Sequence, residues 1–209
     1  RFIPEEERVV PIEDTAELQL QQARLVRLET RPINIEGAGA ITQRDLVINA
    51  LRMRPDRIVI GECRGAEALD MMQAMNTGHD GSMTTCHANT SRDAFSRLET
   101  MVMMASSSIP DRVIRQMLAS AVQIVIQVNR LTDGSRKILS ISEVVSIEDD
   151  QVVMQDLFVF DRTGVSKSGK SLGSFRATGN KPISAGRMKA YGVQLPASIF
   201  SEVQEVKDR

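Results

Sequence analysis

Tryptophan is absent from this chain, Tyr191 is its only tyrosine, and aromatic residues make up 3% of its 209 positions. With so few flat side chains to stack on bases, a single-stranded nucleic-acid platform is disfavoured. The net charge of −1 also leaves out the broad basic field of a nucleic-acid binder. No apolar run reaches transmembrane length, and no segment reads as a signal peptide. Cysteine is scarce. Cys63 and Cys86 form no CxxC pair, which excludes a disulfide framework and suggests a reduced, cytoplasmic protein. Lysine is missing until Lys137, so every earlier basic side chain is arginine. Eight of these fall between Arg24 and Arg64. Arginine forks grip phosphate and carboxylate oxygens better than a lysine point charge does. Ordinary surface charge is the other reading of that set.

What is present suffices for one good core with a small appendage: 42% of residues are apolar. Arg8 to Ile12 reads as a strand ending in Glu13-Asp14, and Leu25 to Thr30 as a half-exposed strand. Thr42 fits an N-cap for a helix through Leu46, Val47, Ala50, Leu51 and Met53, stopped by Pro55. Arg57 to Gly61 reads as a central strand, Gly65 to Met75 as a helix filled by Leu69, Met72 and Met75, and Ser82 to Cys86 as a strand. Helices follow from Ser91 to about Met104 and from Ser108 to Ala121, then a buried strand from Ile124 to Val128. Strands alternating with helices predict a doubly wound, largely parallel α/β sheet. Beyond Gly134 the pattern turns to meander strands at Lys137–Ser146, Val152–Phe160 and Ser174–Ala177, with short helices at Ile183–Tyr191 and Ala197–Val206. The expected division is an α/β core over 1–149 and a mixed α+β appendage over 150–209.

The richest segment is Pro55 to Asn89, PDRIVIGECRGAEALDMMQAMNTGHDGSMTTCHAN. Its apolar run Ile58-Val59-Ile60 stops at Gly61-Glu62. A buried strand that delivers one carboxylate at its tip is how α/β nucleotide hydrolases place an acid that activates water or holds a metal. Glu62 is thus expected to orient or deprotonate an attacking water, or to hold Mg²⁺ through water. Glu13 and Asp14 suggest a second acid near a metal, or simply the end of a strand. His79 and His87 lie in a Gly- and Thr-rich stretch and read either as buried structural histidines or as phosphate sensors. A zinc site built from Cys63, His79, Cys86 and His87 is disfavoured, because adjacent strand residues such as Cys86 and His87 point to opposite faces.

Gly164 to Ser171 matches GxxxxGK[ST], the phosphate-loop pattern. That loop works only between a buried strand and a helix. The following LGSFRATGNKP carries two glycines and a proline and alternates like a strand. A hairpin turn is expected there.

Three stretches together resemble a known family: Ile12 to Leu18, LRMRPDRIVIGECRG at Leu51 to Gly65, and TGHDGSMTTCHAN at Thr77 to Asn89. They look like the Asp box, Walker B region and His box of type II/IV secretion ATPases. The match from Glu13 to Arg97, with TGVSKSGKSLGSFRATG at Thr163 to Gly179, most resembles the CpaF-like branch that powers tight-adherence (Flp) pilus assembly. The resemblance implies a RecA-like P-loop NTPase core, ATP and Mg²⁺, and a homohexameric ring. It also implies a cytoplasmic place at the inner membrane beside platform proteins of the secretion or pilus machine, with no nucleic acid. It makes Glu62, Glu13, His79 and His87 the expected catalytic residues, with Glu13 ahead of Asp14 as metal-side acid. The histidines would sense the γ-phosphate. Positive charge on the phosphates would come from Arg52 or Arg64 within the subunit and Arg31 or Arg44 across a subunit contact. The family's phosphate loop lies shortly before the Asp-box strand, so it is expected upstream of Arg1, and the chain alone is expected to be inactive. A non-hydrolysing scaffold module and a nucleic-acid translocase of the same fold are the competing functions.

Overall fold

The computed structural model describes residues 2–201 and the backbone of 203–206. Among these residues no helix is long and apolar enough to cross a membrane. The chain divides into two compact units, one running through Asn89 and resuming over Asp93–Ala121, the other comprising Thr90–Arg92 and the chain from Val122 onward.

The first unit holds a parallel sheet. Its strands are β1 (Arg8–Glu13), β2 (Arg24–Leu25), β3 (Leu28–Glu29), β4 (Arg57–Ile60) and β5 (Met83–Thr84). The order is β2-β1-β4-β5, with β3 also paired to β1, and every pairing is parallel. Val9, Val10, Ile12, Ile58, Val59 and Ile60 are all buried. Such unbroken apolar runs mark a sheet covered on both faces.

The single strand expected over Leu25–Thr30 is two short ones, and Pro11 explains the break. Val9 and Glu13 accept backbone bonds from Val26 and Thr30 on one side of β1, while Ile12 accepts from Gly61 on the other. Pro11 faces the same side as Val9 and Glu13 but has no N–H to donate. The ladder therefore lapses opposite it, between β2 and β3.

Helix α1 (Gln43–Ala50) begins at Thr42, whose hydroxyl accepts from Asp45 N while the Asp45 carboxylate accepts from Thr42 N. This reciprocal capping box satisfies two otherwise orphaned amides. A short 3₁₀ turn (Leu51–Met53) follows, and Arg54 turns left-handed at φ 52° just before Pro55. Helix α2 (Glu67–Asn76) buries Ala68, Leu69, Met71, Met72 and Ala74; Leu69 and Met72 pack as expected, whereas Met75 is only half-buried and Met71 is buried instead. Helices α3 (Ser91–Ala105) and α4 (Asp111–Ala121) follow, and Asn76 Nδ2 donates to Met117 O to tie α2 to α4.

The second unit is an antiparallel meander: β6 (Ile124–Arg130), β7 (Arg136–Glu148), β8 (Gln151–Val165), β9 (Ser171–Ala177) and β10 (Val203–Val206), in the order β10-β9-β8-β7-β6. Two expectations fail here. Ile124–Val128 is no buried strand of a parallel core; β6 is an edge strand paired antiparallel to β7, with Ile124, Ile126 and Val128 exposed. The boundary expected at Asp149 is the tip of the β7–β8 hairpin. Asp149 and Asp150 both take positive φ, 47° and 60°, as a tight hairpin turn requires. Strands β6 and β7 thus belong with β8, and the units part at Ala121. The terminal helices are also shorter than expected: α5 is Ala185–Ala190, and Ala197–Phe200 is a 3₁₀ turn leading toward strand β10. Glu202, within the helix expected over Ala197–Val206, lies outside the described residues.

The GxxxxGK[ST] match is a hairpin. Strand β8 runs to Val165, Ser166 N donates to Lys170 O, Gly169 sits at φ 85°, and β9 starts at Ser171. No helix follows to offer its N-terminus to a phosphate, as a phosphate loop requires.

Candidate functional site

Strand β4 ends at Ile60, and the chain passes through Gly61 to Glu62 at the C-terminal edge of the parallel sheet. Gly61 N donates to Ile12 O at 2.9 Å, Thr85 Oγ1 donates to Gly61 O at 2.6 Å, and Cys63 N donates to Thr85 O at 2.8 Å. Glu62 is thereby held between the end of β1 and the segment that follows β5. Its side chain is 17% exposed. One carboxylate oxygen accepts from Arg64 Nη2 at 2.5 Å, and the other lies 3.3 Å from His87 Nε2. The Arg64 hydrogen bond holds the Glu62 carboxyl below the usual glutamate value, against the opposing effect of burial.

The two acids at the end of β1 point apart, as successive strand residues do. Glu13 is buried, and its Oε1 accepts from Glu17 N and Leu18 N, both at 3.0 Å. Its side chain packs under Gly61, where an added Cβ would lie 3.1 Å from Glu13 Cγ. Glu13 therefore shapes the loop after β1. Asp14 is the acid that faces outward. Its Oδ2 lies 3.2 Å from Arg64 Nη1, and its Oδ1 accepts from Thr30 Oγ1 at 3.1 Å and Gln43 Nε2 at 3.3 Å. Of the two acids expected near a metal, Glu13 is thus turned inward and Asp14 lies beside Arg64.

The backbone beneath Arg64 is fixed. Glu67, in the first turn of α2, accepts from Arg64 N at 2.5 Å and Gly65 N at 2.8 Å. Arg31 and Arg44 also lie toward this edge. Arg31 follows Thr30 and donates through Nε to Gly39 O at 2.7 Å, while Arg44 follows Gln43 and pairs with Asp70 at 2.7 Å. Arg52 does not belong here. It precedes β4 in the 3₁₀ turn whose Met53 O accepts from Arg8 Nη1, so it sits at the N-terminal edge, across the sheet from Glu62.

The histidines separate in the same way. His87 follows β5 and meets Glu62. His79 precedes β5, and its Nδ1 lies 3.1 Å from Ala74 O at the end of α2. The loop around it is tied to the N-terminal edge by Arg57 Nη1 to Gly81 O and by Ile58 N to Ser82 Oγ, each 3.0 Å. The expectation that both imidazoles approach one phosphate is corrected: strand β5 runs between them.

Sequence reasoning passed over Thr30, Gln43, Thr85 and Glu67. The Thr42 N-cap placed the start of α1, but nothing in the sequence showed Gln43 reaching Asp14. Cys63 is buried, which pushes its thiol up to about 12, and Cys86 is half-buried. Neither cysteine lies in a strand, so the face-alternation argument against zinc does not apply to them as stated. Among the described residues no three His, Cys, Asp or Glu side chains come together as a metal cage. Mg²⁺ asks for less, taking one or two carboxylates together with substrate phosphates and water. Asp14, outward-facing and with hard oxygen donors, fits that demand, with Glu62 beside it.

The chain matches the family model described as "Type II/IV secretion system protein" over residues 1–188. It is 44% identical over 137 residues to a Mycobacterium tuberculosis protein provisionally named for conjugal transfer, covering 66% of this chain and 38% of that protein. It is 34% identical over 143 residues to the conjugal transfer protein TrbB of Rhizobium radiobacter, covering 68% of this chain and 40% of TrbB. Among solved structures, the VirB11 ATPase of the Brucella suis type IV secretion system, in complex with sulphate, aligns with a TM-score of 0.58 at 34% identity. That alignment covers 66% of this chain and 40% of VirB11. The chain thus spans about two fifths of these relatives. A parallel sheet with an acid at the tip of a buried strand, joined to an antiparallel sheet, is here a RecA-like fold, and the chain belongs to the type II/IV secretion system protein family.

Proposed function

We propose that this chain supplies the acidic side of an ATP-hydrolysing site in a secretion motor. The observation that carries the reading is Glu62, held at the end of buried β4 with Arg64 on one oxygen and His87 on the other. A carboxylate fixed this way can orient a water and take its proton as the water attacks the terminal phosphoryl group. His87 steadies the second oxygen and stands ready to sense charge at the phosphate. Asp14 is the carboxylate for Mg²⁺, which when bound supplies positive charge to the phosphate oxygens. Arg64 serves within the subunit, and Arg31 and Arg44 are the candidates to reach a neighbouring subunit's nucleotide.

On this reading the grip on the phosphates comes from a loop other than residues 164–171. The hairpin geometry of residues 164–171 supports this, and on this reading the chain by itself does not turn over ATP. The working form is a homohexamer at the cytoplasmic face of the inner membrane, pushing on membrane platform proteins. Relatives named for conjugal transfer and type IV secretion support a transport motor. The residue-level resemblance of the Glu13–Arg97 stretch supports the finer reading of tight-adherence pilus assembly.

The test is Glu62→Ala in the longer protein that contains this chain. Loss of an acid–base group costs about 10²- to 10⁴-fold in rate. ATP turnover should fall by that order while nucleotide binding persists. Undiminished turnover defeats the assignment.

A further inference from the structure

Arg64 is unusual within the site because one guanidinium serves two acids from two strands. Its Nη2 meets Glu62, beyond β4, at 2.5 Å, and its Nη1 meets Asp14, beyond β1, at 3.2 Å. Its backbone is pinned by Glu67, yet its side chain is 63% exposed. Among the described residues the guanidinium meets only these two carboxylates. The side chain can therefore leave by rotating about its own bonds, with no movement of the strand or of α2.

We propose that Arg64 is a latch: in the ligand-free molecule it holds Glu62 and Asp14, and a bound polyphosphate draws it away from both. The inference rests on the reading of this edge as a phosphate-handling site. Exposed ion pairs are weak and easily exchanged, whereas a phosphate chain offers the same planar fork a denser set of anionic oxygens. The exchange has two consequences at once. Glu62 loses the donor that occupies one of its oxygens, and Asp14 loses the cation at its Oδ2. The same rotation that grips the phosphate thus readies both acids. Arg64 acts on Glu62 as a positioning residue before it touches phosphate.

The test uses the chain as it stands, with inorganic tripolyphosphate as the probe. Affinity is measured by calorimetry for wild type, Arg64→Gln, Asp14→Asn and the double variant. Arg64→Gln should weaken binding by about tenfold, the scale of losing one charged hydrogen-bonding partner. Asp14→Asn should tighten it by about threefold or more, and that gain should shrink by at least about threefold when Arg64 is already Gln, because residues in contact act non-additively. Arg64→Lys, which keeps the charge and loses the fork, should fall between wild type and Arg64→Gln. In parallel, the Arg64 side-chain ¹⁵Nε resonance of wild type should shift on titration. Additive effects of the two substitutions, within about twofold, would overturn the latch. So would an Arg64 resonance that stays still, or an absence of tripolyphosphate binding in wild type and Asp14→Asn alike. The Glu62→Ala turnover measurement in the longer protein judges the hydrolysis reading separately.

Discussion

His79 and His87 flank strand β5 and so stand at opposite edges of the parallel sheet, with only His87 reaching Glu62, at 3.3 Å. A strand carries the chain from one edge to the other, so residues before and after it are parted by its length. The two histidines of one motif therefore have different neighbours, Glu62 for His87 and the Ala74 carbonyl for His79.

That separation predicts different phenotypes. In the longer protein, His87→Ala should lower kcat by about tenfold or more, within the range of a group assisting a general base. His79→Ala should leave kcat within about threefold and act on stability instead, since its ring reaches the Ala74 carbonyl at the end of α2. Steady-state ATPase assays paired with thermal melts check this. Equal loss of kcat in both variants contradicts it.

Gly81 is predicted to be intolerant of a side chain. It sits at φ 78°, and an added Cβ would lie 2.1 Å from Arg57 Nη1. Arg57 has little freedom to move aside, because Nη2 and Nε both bond to Glu7 while Nη1 bonds to Gly81 O. Gly81→Ala should lower stability by about 1–3 kcal/mol through the strained φ and the displaced ion pair. The denaturant midpoint reads this directly, and an unchanged midpoint rejects it.

Glu143 is buried in β7 and accepts from Ile183 N at 2.7 Å, Ser184 N at 2.8 Å and Gln155 Nε2 at 2.8 Å. Burial alone would raise its pKa, but these donors together, with Ser184 foremost, pull it below the ordinary value of 4.5. A folded value below the unfolded one means the stabilisation is complete above about 4.5 and fades as pH falls through the lower folded value. Glu143→Gln should cost about 1–3 kcal/mol near neutral pH, because the new amide turns N–H groups toward donors. It should also flatten that part of the acid dependence. Denaturant titrations at several pH values below neutrality test both halves.

Lys170 imitates a phosphate-loop lysine in sequence alone. Lys170→Ala in the longer protein should leave nucleotide affinity within about twofold, since a hairpin turn offers no helix N-terminus to an anion. A larger loss, measured by equilibrium binding, would return the turn to the active site.

Much of the first unit was legible because its signals are local. The apolar run of β4 followed by Gly61-Glu62, the Thr42 cap and the methionine-filled α2 each declare themselves within a few residues. Strand β6 misled for the same reason. Its Ile-Val-Ile run reads as buried, yet β6 lies at a sheet edge where one face meets no layer among the described residues of its unit. The hairpin tip at Asp149 misled because a turn and a domain boundary share their polar composition.

Residue order alone settled that an acid would stand at the tip of a buried strand, since apolar periodicity and a terminal Gly-Glu are properties of adjacent residues. It also settled that the GxxxxGK match was a turn, because glycine, proline and alternation act within the same short window. Only the tertiary structure decided which groups meet that acid. Arg64 and His87 reach Glu62, while His79 and Arg52 stay across the sheet and Glu13 turns inward. The reason is geometric. Parallel strands set side by side gather the residues that follow them at one edge and those that precede them at the other, and that pairing is absent from any single stretch of chain.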